Sequence, residues 1–349
     1  MIAKRKGSLG ISLCMIVRDE EFSIETALSS ARPHVDQIIV VDTGSIDKTV
    51  SIAKKYADRL EYFEWIDDFS AARNYSLQFA EYPWILVLDA DEIIGDEDYP
   101  KLGKLILDDT FDGFMLLQRQ YTNNPEANNP SWRVAGSEDQ FSRNYRGYSV
   151  NPILRLFKND DSIKYSGSVH EIVDQSIDPD RIGMSDVPIH HYHEDPNNET
   201  HRHLARNLKI QEQLISDETA TSRDYLSAAA AHFRQTGDLE KAEKYLAKAL
   251  EMGADKTVIM ETMAELHYRR GELESAIKLY RQLYDSNLGS TSVLNNLSNL
   301  YLKAGDLKSA AHLLQELLDR GVDDPVRRDR ISENLQAILG AMDNTKQDS

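Results

Sequence analysis

Cysteine is nearly missing from this sequence: Cys14 is the only one in 349 residues. A single thiol excludes an intramolecular disulfide and any zinc site built on cysteine. Positive charge is also short. Lysine and arginine number 40 against 58 aspartates and glutamates, for a formal net charge of −18. A field of that sign repels phosphate backbones and anionic lipid surfaces, so no nucleic-acid partner is expected, and a local basic pocket for a small phosphate ligand stays open. Long apolar runs are missing too. The run from Leu9 to Val17 follows a basic start, but Gly10 and Ser12 interrupt it and Arg18, Asp19, Glu20 and Glu21 follow at once. No small-residue cleavage pattern ends it, unlike a signal peptide. No later stretch approaches the roughly 18 apolar residues that span a bilayer, so a cytoplasmic chain without a membrane span is expected.

What is present suits a globular protein of two or three domains: 41% hydrophobic and 28% charged residues, in a chain too long for one ordinary domain. Up to about residue 120, short apolar runs alternate with helical patterns. Strands are expected over 11–17, 37–41, 60–65 and 84–88, and helices over 23–31, 47–56 and 70–79. Continuously apolar strands between helices describe an α/β domain with a mostly parallel, Rossmann-like sheet covered on both faces. Ligands of such sheets sit at the carboxyl ends of the strands. Residues 121–190 read differently, as a turn-prone, Asn-rich stretch in which strands over 153–157 and 187–192 flank the segment around Gly167, suited to an acceptor-binding subregion.

Beyond about Pro196 the pattern is helical. Gly237, Gly271 and Gly305 open three similar segments 34 residues apart, the tetratricopeptide period. Ala242, Ala276 and Ala310 fall where two helices must approach closely. Phe233 and Tyr301 share a large position that His267 takes in the middle repeat, and the proline that often ends a repeat is absent. The expected division is an α/β domain over 1–195, a linking helix over 196–222 and repeats over 223–349. A polar-faced capping helix over 327–342 closes the solenoid.

Chemistry-bearing residues gather at strand ends. The first strand runs into Val17, Arg18 and Glu20, the second into Asp42, Thr43, Gly44 and Ser45. Asp42 suits hydrogen bonds from a ribose or base, and Gly44 permits a tight turn. Ser45, Asp47 and Thr49 serve equally as ordinary helix-capping residues. The strand at 84–88 delivers Asp89, Ala90 and Asp91, and alternation in an extended chain puts the two carboxylates on one side. Paired hard oxygen ligands there suit Mn²⁺ or Mg²⁺ with positions left open for phosphate oxygens.

In this order, together with Asp68, Arg73 and Asn74, the motifs resemble the inverting glycosyltransferases of family 2, which have the GT-A fold. That resemblance implies that Asp42 and Asp89 contact the nucleoside, that Asp91 binds the metal, and that Arg73 and Asn74 line the nucleotide pocket. A closer resemblance is to family members carrying tetratricopeptide repeats, among them the sublancin-type peptide S-glycosyltransferases. It rests on Arg155-Leu156-Phe157, on Gly167 to Glu171, and on Ile189 to Tyr192, where His193 stands in place of the family's glycine. It implies that His191 completes the metal site with Asp89 and Asp91. The histidines 190, 191, 193, 201 and 203 also suggest a zinc cluster, a weaker reading without cysteine ligands.

The chemistry expected is metal-dependent transfer of a sugar from a nucleoside diphosphate, UDP by resemblance, with Glu171 as base and His170 as its rival. The repeats suit a peptide or protein acceptor, or a second copy of the chain. Transfer to a polysaccharide or lipid-linked glycan, and a non-catalytic repeat scaffold, are the competing readings. A nucleotidyltransferase lacks support because no Gly-rich basic loop follows the first strand.

Overall fold

The computed structural model describes residues 9–123, 132–136, 139–143, 145–192, 199–286, 290–321 and 325–347. It divides into two compact units, residues 1–201 and 202–349. The boundary falls inside the helix expected to link the domains, and most of that helix groups with the second unit.

The first unit alternates strand and helix through β1 (Ile11–Val17), α1 (Ile24–Ala31), β2 (Gln37–Asp42), α2 (Thr49–Ala53), β3 (Arg59–Tyr62), α3 (Phe69–Leu77) and β4 (Trp84–Val87). The strands pair in the order β3-β2-β1-β4, all parallel. β1, β2 and β4 are apolar on both sides, and their alternate residues serve different cores. Leu13, Met15, Ile38, Val40 and Leu86 pack into one layer, Cys14, Ile39, Val41, Ile85 and Val87 into the other.

After β4 come β5 (Glu92–Ile93), α4 (Tyr99–Leu105), β6 (Gly113–Thr122), β7 (Trp132–Val134), β8 (Gly147–Lys158) and β9 (Ile182–His191). Here the sheet changes character. β8 joins β4 antiparallel, β6 joins β8 antiparallel, β9 runs parallel to β6, and β5 closes the edge antiparallel to β9. The stretch expected to be loop-rich therefore holds the longest strands of the sheet. In β6, mostly ahead of that stretch, Gln118 and Gln120 stand between buried Leu116 and Tyr121, a polar pattern that disguises a strand whose inner polar groups have partners.

The second unit is helical: α5 (Glu199–Ser216), α6 (Ser222–Ala231), α7 (Leu239–Glu251), α8 (Lys256–Arg269), α9 (Leu273–Asp285), α10 (Thr291–Lys303), α11 (Leu307–Asp319) and α12 (Pro325–Gln347). Gly237, Gly271 and Gly305 sit at the turns inside the pairs α6/α7, α8/α9 and α10/α11, with φ of +70°, +79° and +80°, a region costly to other residues. Ala242, Ala276 and Ala310 have no exposed surface. The middle-repeat departure has a structural reason. His267 Nδ1 meets Glu272, which replaces the aspartate that caps α7 (Asp238) and α11 (Asp306) in the other repeats. Along α12, Ile331, Leu335 and Ile338 are buried at a spacing of one helical face. Among the described residues no helix is long and apolar enough to cross a membrane.

Candidate active site

The site assembles at the carboxyl ends of β1, β2 and β4. Val17 keeps its side chain in the core and uses its carbonyl to accept from the Thr43 backbone N–H at 2.9 Å and from the Thr43 hydroxyl at 3.1 Å. Asp42 is buried and accepts the N–H groups of Gly44 (3.1 Å) and Ser45 (3.2 Å), so its carboxylate folds its own turn. Gly44 takes φ +108° there, so conformation rather than space selects glycine.

Ser45, Asp47 and Thr49 tie loops together rather than cap α2, whose N-cap Lys48 makes no side-chain cap hydrogen bond. They accept the backbone N–H groups of Asp19 (2.9 Å), Glu21 (3.0 Å) and Glu20 (2.6 Å) respectively, tying the loop after β1 to the loop after β2. Burial would raise the Asp47 pKa, but hydrogen bonds from Thr49 and Glu21 outweigh it and hold the group below its usual range. The Glu20 carboxylate accepts from Ser23 Oγ at 2.6 Å, and Arg18 stays largely exposed with Asp19 3.9 Å away.

Asp89 is the hub. Arg73 Nη2 reaches Asp89 Oδ1 at 2.7 Å, and Arg155 Nη2 reaches Oδ2 at 2.6 Å. Burial pushes the Asp89 pKa up, but Arg155 and Arg73 pull harder and leave it far below the usual carboxylate range. Arg73 also donates from Nε to Glu171 Oε1 at 2.5 Å, so one guanidinium joins the Asp-Ala-Asp turn to the expected base. These side chains line a cleft of about 290 Å³ that Met115, Ile153 and Ile172 also border. His170 lines it as well, on an exposed αL residue (φ +56°). The segment carrying both is braced: Ser166 and Ile172 exchange backbone hydrogen bonds of 2.9 and 3.0 Å, and Phe69 N–H donates to Ser168 O at 2.9 Å.

Asp91 goes elsewhere. The chain turns at Ala90 and Asp91, so the expected same-side pair does not form. Asp91 Oδ2 instead lies 3.0 Å from His191 Nε2. The antiparallel pairing of Glu92 with His191 creates that meeting. Burial alone would lower the His191 pKa, but Asp91, with Glu92 and Asp89 nearby, raises it to about 9. Among the described residues no three His, Cys, Asp or Glu side chains converge as a metal ion would require. Of the expected ligand trio, Asp91 and His191 come together, whereas both Asp89 oxygens meet arginines. A carboxylate oxygen beside an imidazole nitrogen is a donor set that fits Mn²⁺ well and oxygen-preferring Mg²⁺ less well, with phosphate oxygens left to fill the remaining positions.

Three other expected site residues have contacts within the fold. Asp68 accepts from the Ala71 N–H at 3.0 Å and caps α3. Asn74, expected in the nucleotide pocket, spends both ends of its amide on the Tyr165 backbone, at 2.8 and 2.9 Å. Ala90 has its side chain in the core. Of the histidine cluster, His190 is fully buried, lies on the opposite side of β9 from His191, and meets Tyr121 Oη at 2.8 Å. Burial, with Arg119 and Arg143 nearby, lowers its pKa to about 3. It cannot share a zinc ion with His191. His193 and the side chains of His201 and His203 lie outside the described residues.

Two residues of the constellation, Arg155 and Glu92, were not among the expected site residues. The sequence did carry a signal for Arg155, an arginine inside the apolar run from Ile153 to Phe157, since a charge in a buried strand needs a partner.

A parallel half-sheet whose strand ends carry Asp42, Asp89 and Asp91, followed by an antiparallel half that returns His191 to the same edge, defines a GT-A type domain. Residues 12–169 match the family model for glycosyl transferase family 2, and residues 290–321 match a tetratricopeptide repeat. The chain therefore carries a family 2 glycosyltransferase domain followed by a tetratricopeptide-repeat unit. It is 32% identical over 259 residues to a TPR repeat-containing protein of Synechococcus elongatus, covering 71% of this chain and 58% of that protein. It is 28% identical over 163 residues to the SPbeta prophage-derived glycosyltransferase SunS of Bacillus subtilis, covering 46% of this chain and 34% of that protein. The chain thus spans less than two thirds of both relatives. Among solved structures, TarS residues 1–349 from S. aureus in complex with UDP-GlcNAc gives a TM-score of 0.45 at 14% identity, covering 80% of this chain and 92% of that one.

Proposed function

We propose that the protein is a metal-dependent inverting glycosyltransferase that moves a sugar from a UDP-sugar to a peptide or protein acceptor. The observation that carries this reading is the Asp91–His191 pair, 3.0 Å apart at the carboxyl edge of a family 2 domain. Asp91 and His191 would hold Mn²⁺ or Mg²⁺, and that ion would supply Lewis-acid stabilisation of the departing diphosphate.

The remaining steps belong to the chain. Asp42 and the loops tied by Ser45, Asp47 and Thr49 form the nucleoside side of the site. Asp89, locked by two arginines, presents a fixed negative edge rather than a metal ligand. The acceptor enters the cleft beside Glu171, where its nucleophilic atom attacks the anomeric carbon from the side opposite the leaving diphosphate. Its proton passes to Glu171, which faces that cleft, and Arg73 fixes the carboxylate in place. His170 borders the same cleft but is solvent-exposed, which favours Glu171 as the base. The repeat unit is the natural surface for an extended acceptor.

The test is a panel of nucleotide sugars incubated with the protein and Mn²⁺, with released nucleoside diphosphate followed by mass spectrometry. At least one donor, a UDP-sugar, should be turned over. Silence across the whole panel would refute the proposal.

A further inference from the structure

Below the Asp89–Asp91 turn lies a polar group that the steps above do not use. Glu92 has no exposed surface and sits in β5 opposite His191. A carboxylate so placed is strongly disfavoured unless donors surround it. Its Oε2 accepts the Asp89 backbone N–H at 2.8 Å, and its Oε1 accepts Gln118 Nε2 at 2.5 Å and Arg155 Nη2 at 3.1 Å. Arg155, whose side chain is 5% exposed, reaches on to Asp89 Oδ2.

One carboxylate therefore grips the backbone where the turn begins and, through Arg155, the side chain of Asp89. Its strand pairing also decides which residue of β9 faces Asp91. A one-residue slip of β5 would exchange His191 for His190, because successive residues point to opposite faces. An apolar pair of the same size would fill the space with no charge to desolvate, so a buried ion pair here calls for a reason beyond stability.

We infer that Glu92 and Arg155 are positioning residues, which together fix Asp89 and the register that brings Asp91 to His191. The inference rests on reading Asp91 and His191 as the metal pair, but its first test needs no ligand. Crystal structures of full-length Glu92→Gln and Arg155→Lys should show the Asp91–His191 contact broken or the Asp89 carboxylate displaced. Both changes are near-isosteric and chosen to preserve folding. If both contacts persist in both variants, the inference is wrong, whatever the protein binds.

The second test is calorimetric titration of UDP at saturating Mn²⁺. Each variant should bind at least tenfold more weakly, and Arg155→Lys should add no further loss in an Asp89→Asn background. Wild-type affinity in Glu92→Gln, or fully additive losses in the double variant, would also overturn it. A wild-type protein that binds no UDP would instead sink the metal–nucleotide reading, and the crystal structures alone would then decide the positioning role.

Discussion

His190 and His191 adjoin in β9, yet one stacks on Phe141 with ring centroids 3.9 Å apart and the other faces Asp91. Single side chains set the chemistry here through where the strand sends them, and sequence spacing alone did not always say. Alternation assigned Asp89 and Asp91 to one side; the turn at Ala90 separates them, since the rule holds only while the chain stays extended. Asp91 and His191 were legible from motif order, whereas their pairing depends on a β5–β9 register between residues far apart in sequence. Glu171→Gln should lower turnover about 10²- to 10⁴-fold and leave UDP affinity unchanged, as steady-state kinetics and calorimetry would report. Equal turnover would assign the base elsewhere, with His170 first in line. Away from the site, Asp112 accepts from Arg181 and Lys158. The Arg181 hydrogen bond outweighs burial and holds the Asp112 pKa well below the usual range. A depressed folded pKa adds stability above the unfolded pKa of about 4, and that stability fades as pH falls through the folded value. Asp112→Asn should therefore cost about 1 kcal/mol at pH 7 in urea denaturation, discounted for partial exposure, and progressively less below pH 4. A penalty that stays constant with pH would contradict this account.

At the scale of elements, helix α3 gives a residue expected in the donor site a structural task. Asp68 caps it, and Arg73, one turn further on, joins Asp89 to Glu171. Loss of the cap should cost about 1 kcal/mol. Asp68→Ala should thus lower the melting temperature and reduce turnover through a misplaced Arg73, while Asp68→Ser, which also caps, restores both. Failure of Ser to restore turnover would mean that the carboxylate itself meets the donor. The parallel strands were readable because apolar runs and turn residues agree locally. β6 and the full lengths of β8 and β9 were not, because their polar positions are satisfied only by partners from distant strands. The repeats were legible from their glycines alone, since a positive φ at a fixed period leaves few alternatives.

Across the molecule, every residue placed in the donor site lies between Val17 and His191, within the first unit. The helical unit has its own cores. Leu297→Ala, at a position with no exposed surface, should destabilise that unit by about 2–5 kcal/mol and leave UDP affinity at saturating Mn²⁺ unchanged. A parallel loss of UDP affinity would show that the repeats shape the donor site. The net charge of −18 acts at this scale too. It leaves nucleotide recognition to local geometry, so UDP binding should weaken far less with added salt than binding to a basic surface would.

The measurement that bears most directly on the whole account is diphosphate release from the best UDP-sugar, compared between wild type and Asp91→Ala with Mn²⁺ and with chelator. A metal-dependent transferase built on Asp91 and His191 predicts release by the wild type with Mn²⁺ and at least a hundredfold less in the variant. The chelator should reduce the wild type to the level of the variant. Equal release by the two proteins, or release that ignores the chelator, would contradict it.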